Sequence, residues 1–328
     1  MNGLICSNFL WDCTELILAE KGIYMTNKTK SIIYFSLGVI TGIFFIGQFA
    51  FRENDKKEKA ENKFPARQFY LPKVPDEMTF AEEKVPLEKW EIREAFDREL
   101  IYNYNNPGHI SYILKLSKRY FPIIEERLKA NNVPDDFKYL CVAESNLQNL
   151  TSAVGAKGFW QFMNYTGPGY GLEIREDVDD RYDIIKSTNA ACMYLKQAYT
   201  KFGNWTAAAA SYNCGMGGYN GQATFQQTKN YYDLQLPDET NKYIFRILTF
   251  KYLISNAKQA GYMVDDTNGY KPFDTRSVTV SSSIPNLAQW ALNNGTTYKI
   301  IKLLNPWLRS KSLTVTGGKS YEIKLPKE

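Results

Sequence analysis

The sequence predicts a mainly α-helical protein: one membrane-spanning helix, then an all-α body, then a small α+β module. Three observations lead there. Residues 31–51 contain no charged side chain, a stretch long enough to cross a bilayer at ~1.5 Å per residue. Between Val74 and Ala260, apolar residues return at helical spacing in one segment after another. Past a turn-rich bridge from Gly261 to Lys271, the pattern reads strand, two short helices, strand.

Composition narrows the chemistry before any motif does. With 328 residues, 44% of them hydrophobic, the chain can bury real cores, and at roughly 150 residues per domain two folded units are expected. Disorder and collagen-like repeats are excluded. Forty basic against thirty-five acidic residues leave a net charge of +5, too mild and too evenly spread for a dedicated nucleic-acid binder. His109 is the single histidine, which rules out His-based triads, HExxH zinc sites and poly-His metal cages. Proton transfer must come from carboxylates, tyrosine or lysine, and neither a metal nor a cofactor is expected. The five cysteines (Cys6, Cys13, Cys141, Cys192 and Cys214) are odd in number and lack CxxC pairs, so they read as small buried apolar residues. Cys141 and Cys214 flank the motifs below, and a bridge between them stays open.

Taken in order, residues 1–30 form a polar segment expected to stay in the cytoplasm, with Met25 a second candidate start. The span 31–51 follows, and neither an A-x-A cleavage pattern nor a lipidation cysteine closes it, so it reads as an uncleaved anchor. Lys21, Lys28 and Lys30 precede it, while Arg52, Lys56, Lys57, Lys59 and Lys63 come after. That charge count opposes an outward orientation, which is kept for the function implied below. Residues 52–73 are a tether, because 52–63 hold nine charges in twelve positions.

Residues 74–262 make the helical body, with helices expected at Leu87–Tyr104, Ile110–Ala130, Pro134–Ser145, Asp183–Phe202, Trp205–Tyr212 and Asp238–Ala260. Start signals support them: Asp135 and Asp136 behind Pro134, Asp183 before an apolar run, and Pro237-Asp238-Glu239. Residues 273–326 make the separate module.

The chemistry centres on the helix from Pro134. Phe137, Leu140, Cys141 and Glu144 fall at i, i+3, i+4 and i+7, one face, so Glu144 occupies a core-facing position. An unpaired carboxylate is costly there, and Glu144 is either paired with a cation or held partly protonated by desolvation. The second state suits a general acid. A structural Glu, or a helix-end residue facing out, remains open. Downstream, Gly155-Ala156-Lys157-Gly158-Phe159-Trp160-Gln161-Phe162 offers glycines for close backbone approach and an aromatic pair for sugar stacking, or else a tight turn with a core aromatic. Residues 207–215, ending in Tyr212-Asn213-Cys214-Gly215, form a small-residue helix with polar side chains at its end. The glycines near Gly217 lack the lysine and strand of a phosphate loop, and the Asn-x-Thr triplets at Asn149, Asn164, Asn204 and Asn294 carry little weight. The acidic stretch Glu173, Glu176, Asp177, Asp179 and Asp180 reads as a solvated loop, with a second catalytic carboxylate or a cation site as alternatives.

Together, Glu144-Ser145, Gly158-Phe159-Trp160-Gln161 and Tyr212-Asn213 resemble the lytic transglycosylase family with the goose-lysozyme-like fold. Arg119–Glu125, Val133–Leu140, Gly169–Leu172 and Leu236–Thr240 look like its membrane-bound murein transglycosylase D branch, so the resemblance covers roughly residues 80 to 260. It implies a lysozyme-like all-α catalytic domain and non-hydrolytic cleavage of the β-1,4 bond between N-acetylmuramic acid and N-acetylglucosamine in peptidoglycan. By that matching Glu144 is the catalytic acid and then base, Gln161, Tyr212 and Asn213 bind the sugar, Ser145 supports Glu144, and Tyr243 reaches the carboxylate. The sequence departs from the family at Leu147-Gln148-Asn149, at Asn164 and at Cys214. The C-terminal module looks like a degenerate LysM glycan-binding repeat in which Trp290 and Trp307 could stack on sugars; a small structural cap is the other reading. The implied partners are peptidoglycan glycan strands and the inner membrane through one helix, without nucleic acid, and the implied location is a single-pass inner-membrane protein with a periplasmic catalytic domain. A hydrolytic muramidase and an inactive wall-binding protein are the competing readings.

Overall fold

The structure is a computed structural model of the chain and describes residues 71–265 and 267–327, together with some positions between 26 and 43. The chain divides into two units, Met1–Phe69 and Tyr70–Glu328. In the first, the described positions 27–28, 31–32, 35–36 and 38–43 are helical, and Ile32, Phe35, Ile40 and Ile43 expose their side chains. Among the described residues no helix is long and apolar enough to cross a membrane. Positions 33, 34, 37 and 44–51 of the expected span, residues 1–25 and residues 52–70 lie outside the described residues.

The second unit is mainly helical. Its body contains α1 (Trp90–Tyr104), α2 (Pro107–Ala130), α3 (Phe137–Ser145), α4 (Ile184–Phe202), α5 (Trp205–Phe225) and α6 (Asp238–Ser255). Each expected helix is present, with shifted ends. α2 starts three residues earlier than its apolar period suggests, because Pro107 sits in the first turn, where its missing N–H costs nothing. α3 starts later: Asp136 takes a helical backbone without capping with its side chain. Its carboxylate instead accepts from Ala81 N at 2.7 Å and from Lys251 Nζ at 2.6 Å. α5 runs past Tyr212 but bends at Gly215, whose φ of 77° and ψ of 149° break the helix where the sequence placed its end.

A hairpin that the sequence did not announce precedes the helices. β1 (Thr79–Phe80) and β2 (Glu83–Lys84) pair antiparallel, with Thr79 opposite Lys84. Ala81 and Glu82 turn it with φ of 50° and 67°, the geometry of a two-residue primed turn that usually carries Asn-Gly or Asp-Gly. Just after the turn, the Glu83 carboxylate accepts from Trp205 N at 2.5 Å and Thr206 N at 2.8 Å, capping α5 from outside its own segment. The core of the body gathers Phe96, Ile113, Ile124, Leu140, Leu195, Tyr243 and Leu248 from the packed helices, with Trp160 from the loop after α3.

The C-terminal module consists of β3 (Thr275–Val280), α7 (Leu287–Asn293), α8 (Tyr298–Leu304) and β4 (Tyr321–Pro326), with β3 and β4 antiparallel from Thr275↔Pro326 to Val280↔Tyr321. It has its own core around Leu287, Ile301, Leu308 and Ile323. That core includes one residue from the body, Val178, which is fully buried.

Val178 lies in the acidic stretch, and here the structure corrects the expectation of a solvated loop. Asp177, Asp179 and Asp180 are buried. Asp177 accepts from Thr314 N at 2.7 Å and pairs with Arg175 at 2.9 Å. The Asp179 backbone N–H donates to Trp307 O at 2.9 Å while its carboxylate grips Arg181 with both oxygens. Asp180 pairs with Lys186 at 2.8 Å. Asp177 and the Asp179 backbone thus belong to a clasp between body and module, while the Asp179 and Asp180 carboxylates are paired with cations of the body itself. Trp307 is also not a free stacking face: it is 4% exposed and lies on Tyr321 with ring centroids 5.7 Å apart. Trp290 is half-buried.

Candidate active site

α3 delivers Glu144 from its last turn, and Tyr243 from α6 and Tyr212 from α5 stand against it. Asn213 follows Tyr212 on α5, and Gln161, in the loop 146–162, follows Trp160, whose carbonyl Tyr212 holds. Tyr243 is 2% exposed and its hydroxyl donates directly to Glu144 Oε1. Burial pushes the Glu144 carboxyl up from 4.5 to about 7, against the Tyr243 hydrogen bond and the charge of Arg246, both of which favour the ionised form. Near neutrality the group exists in both states, the condition under which one carboxyl can first give and then take a proton. Burial and the Glu144 charge raise Tyr212 and Tyr243 well above the ordinary phenol range, so both stay protonated donors.

The neighbours are fixed in place. Tyr212 donates to Trp160 O at 2.8 Å and packs edge-on against Tyr194, Phe162 and Trp160 with centroids 5.0–6.4 Å apart. Thr240 Oγ1 donates to Asn213 Oδ1 at 2.7 Å, which orients the amide and leaves Nδ2 to donate elsewhere. Gln161 gives its amide hydrogens to Gly158 O at 2.8 Å and Leu150 O at 3.2 Å, so its Oε1 is the atom left for a ligand. Ser145 is placed differently: it is 1% exposed and its hydroxyl donates to Cys141 O at 3.2 Å, not to Glu144. Beside Tyr212 an open cleft of about 660 Å³ is lined by Tyr170, Tyr194, Gln197, Lys201 and Met216.

The backbone explains the motif. A Cβ on Gly158 would stand 1.8 Å from Arg181 O, so only glycine allows this approach. Asn146, Leu147 and Gln161 all hold positive φ, at 54°, 59° and 49°. For a fully buried branched residue such as Leu147 that is strained backbone, and it sits three residues beyond Glu144. Phe159 and Trp160, considered for sugar stacking, are 3% and 0% exposed, and Trp160 Nε1 donates to Thr188 Oγ1 at 2.8 Å. They are core aromatics. Cys141, Cys192 and Cys214 are free thiols, so the open question of a Cys141–Cys214 bridge is answered in the negative. Sequence reasoning missed Arg246, which joins Glu239 at 2.7 Å and Glu99 at 3.7 Å and places a cation near Glu144. Its place one turn beyond Tyr243 was the available signal.

Residues 121–235 match the family model described as Transglycosylase SLT domain. The matched stretch runs from within α2 to just before α6 and includes Glu144, Gln161, Tyr212 and Asn213. Residues 276–328 match a second model, the soluble lytic transglycosylase C-terminal LysM-like domain. The chain is also 26% identical over 232 residues to the membrane-bound lytic murein transglycosylase D of Escherichia coli (strain K12), and equally so to that of Escherichia coli O6:H1. The matched stretch is 69% of this chain and 50% of each relative, so the chain spans half the length of these curated relatives. The resemblance read from the motifs, to SLT-type lytic transglycosylases with a LysM-like C-terminal domain, holds on both models.

Proposed function

We propose that the protein is a peptidoglycan lytic transglycosylase that cleaves the β-1,4 bond between N-acetylmuramic acid and N-acetylglucosamine and leaves 1,6-anhydro ends. The observation that carries this is the Glu144 carboxyl, which lies within the SLT match, is pushed by burial to a pKa of about 7 and is held by Tyr243 from α6. Protonated Glu144 gives its proton to the glycosidic oxygen as the bond to the muramyl C1 breaks. The carboxylate then draws the proton from the muramyl C6 hydroxyl, whose oxygen closes on C1. The internal hydroxyl replaces activated water, so one carboxyl suffices. The engagement of Asp177, Asp179 and Asp180 supports this reading, because each is buried with its carboxylate already holding a partner.

Tyr243 positions the carboxyl, and Asn213 Nδ2, Gln161 Oε1 and the Tyr212 ring bind the sugar and its acetamido group, with the cleft beside Tyr212 taking the adjoining chain. Ser145 supports Glu144 only through the helix backbone. Residues 74–262 are the catalytic domain and 273–326 the LysM-like module. We place the catalytic domain in the periplasm, tethered by 52–73 to an inner-membrane anchor at 31–51 with 1–30 inside; a reporter fused after Glu328 that is active only in the cytoplasm would overturn that topology. Digestion of purified peptidoglycan followed by mass spectrometry tests the reaction: 1,6-anhydromuramic ends are expected, and reducing ends throughout would make the protein a hydrolytic muramidase.

A further inference from the structure

A cavity of about 400 Å³ lies where the body meets the C-terminal module, lined from one side by Leu147–Asn149, Arg119 and Tyr182 and from the other by Phe273, Leu303 and Lys324. Three features of it define a ligand. The Oδ1 of Asn149 is buried with no hydrogen-bond partner, while Nδ2 of the same amide donates to Tyr182 O at 3.2 Å, so the amide is fixed with an acceptor left over. A buried acceptor without a donor is costly, and a ligand N–H or O–H would relieve it. The Lys324 ammonium has no hydrogen-bond or ion-pair partner among the described residues. Arg119 spends Nε on Lys271 O at 2.9 Å and lays its guanidinium over the Phe273 ring at 4.1 Å, which leaves its terminal N–H groups as in-plane donors. Ile123, Phe159, Phe273 and Leu303 supply apolar wall.

The other charges at the cavity are engaged. Lys302 donates to Leu308 O and Ser310 O. Asp183, the carboxylate among the lining side chains, caps α4 by accepting from Ile185 N at 2.8 Å and Lys186 N at 2.9 Å. An N–H donor, a carboxylate and apolar side chains together describe a short acidic peptide. Such a peptide is attached to the muramic acid of the substrate proposed above. The cavity begins at Leu147, three residues from Glu144, on the segment where the sequence departs from its family.

The geometry points to this cavity as a subsite for the peptide stem of peptidoglycan, with Lys324 and Arg119 receiving a stem carboxylate and Asn149 Oδ1 receiving a stem amide. The inference rests on the proposed function for its choice of peptide. The test titrates the full chain with free L-Ala-γ-D-Glu-L-Lys-D-Ala and follows heat and the fluorescence of Trp307, which also lines the cavity. Saturable binding is expected, weakened about tenfold by Lys324→Glu or Asn149→Leu, the cost of one charged or buried hydrogen bond, and unchanged by Glu144→Gln. β4 should survive the Lys324 change, because the bonds of that residue to Asn305 use its backbone; Lys324→Gln serves if the charge reversal does not fold. Absence of saturable binding, or equal binding by the Lys324 variants, overturns the subsite. A parallel digestion separates the two ideas. If the unaltered chain cleaves neither intact nor peptide-stripped glycan, the proposed function falls, and the titration still decides the cavity.

Discussion

Glu144 combines two demands that pull against each other. Its carboxyl must be desolvated to hold a proton near neutrality, yet it keeps one donor, Tyr243, that favours losing it. Replacing Glu144 by Gln preserves size and hydrogen-bonding shape but can neither deliver nor recover a proton, so kcat should fall by ~10² to 10⁴-fold with binding retained, as measured by release of soluble muropeptides. The same change should stabilise the fold in one pH range. The folded-state pKa of about 7 lies above the unfolded value of 4.5, so the contribution of this group is fully present below 4.5 and is lost as pH rises through 7. The difference is worth on the order of 3 kcal/mol. Glu144→Gln should therefore melt higher than the parent at pH 8, by on the order of 5 °C, and lose that advantage toward pH 5. Tyr243→Phe removes a bond to the ionised form; it should raise the carboxyl further and move the alkaline limb of kcat upward, with a loss of about tenfold in rate. An alkaline limb that stays put would show that Tyr243 does not hold the acid.

At the scale of elements, the site depends on backbone that only certain residues tolerate. The loop after α3 turns through Asn146 and Leu147 at positive φ, returns to Leu150, and is bolted there by Gly158 N and Gln161 Nε2, both donating to Leu150 O. Gly158 is the tightest point. Gly158→Ala would drive a methyl into Arg181 O at 1.8 Å and demand a φ of +83° from an L side chain. The expected loss of stability is well above the ~1 kcal/mol typical of point changes, and because Arg181 also holds Asp179, thermal melting and limited proteolysis between 146 and 182 should both register it.

For the whole molecule, the clasp makes the C-terminal module part of the folded unit. Val178 sits in the core of the module, and Asp177, Asp179, Arg175 and Tyr321 tie the two around it. Val178→Asp would bury a carboxylate with no partner. It should expose 273–326 to limited proteolysis while far-UV circular dichroism keeps the helical signal of the body, and unchanged resistance to protease would show the clasp to be dispensable. The module was read from sequence as a separable glycan binder or a cap. Its seat on Val178 and the burial of Trp307 favour the cap for that face.

What the sequence determined by itself is what short-range physics encodes. Helical periodicity and local start signals gave the six body helices and the strand–helix–helix–strand order of the module, since an amphipathic face and a cap are written within a few residues. Glu144 was legible for the same reason, as a carboxylate on an apolar face, and the family motifs supplied its companions. The tertiary structure alone decided the rest. The hairpin at Ala81-Glu82 is held by Asp136, fifty-five residues away, so its turn lacks the usual residues. Phe159 and Trp160 turned inward because α2 and α4 cover them. The acidic stretch became a clasp because Thr314, Trp307 and Tyr321 arrive from the far end of the chain to satisfy it. A charge run looks solvated until its partners are known, and those partners are contacts between distant residues that no local pattern of sequence records.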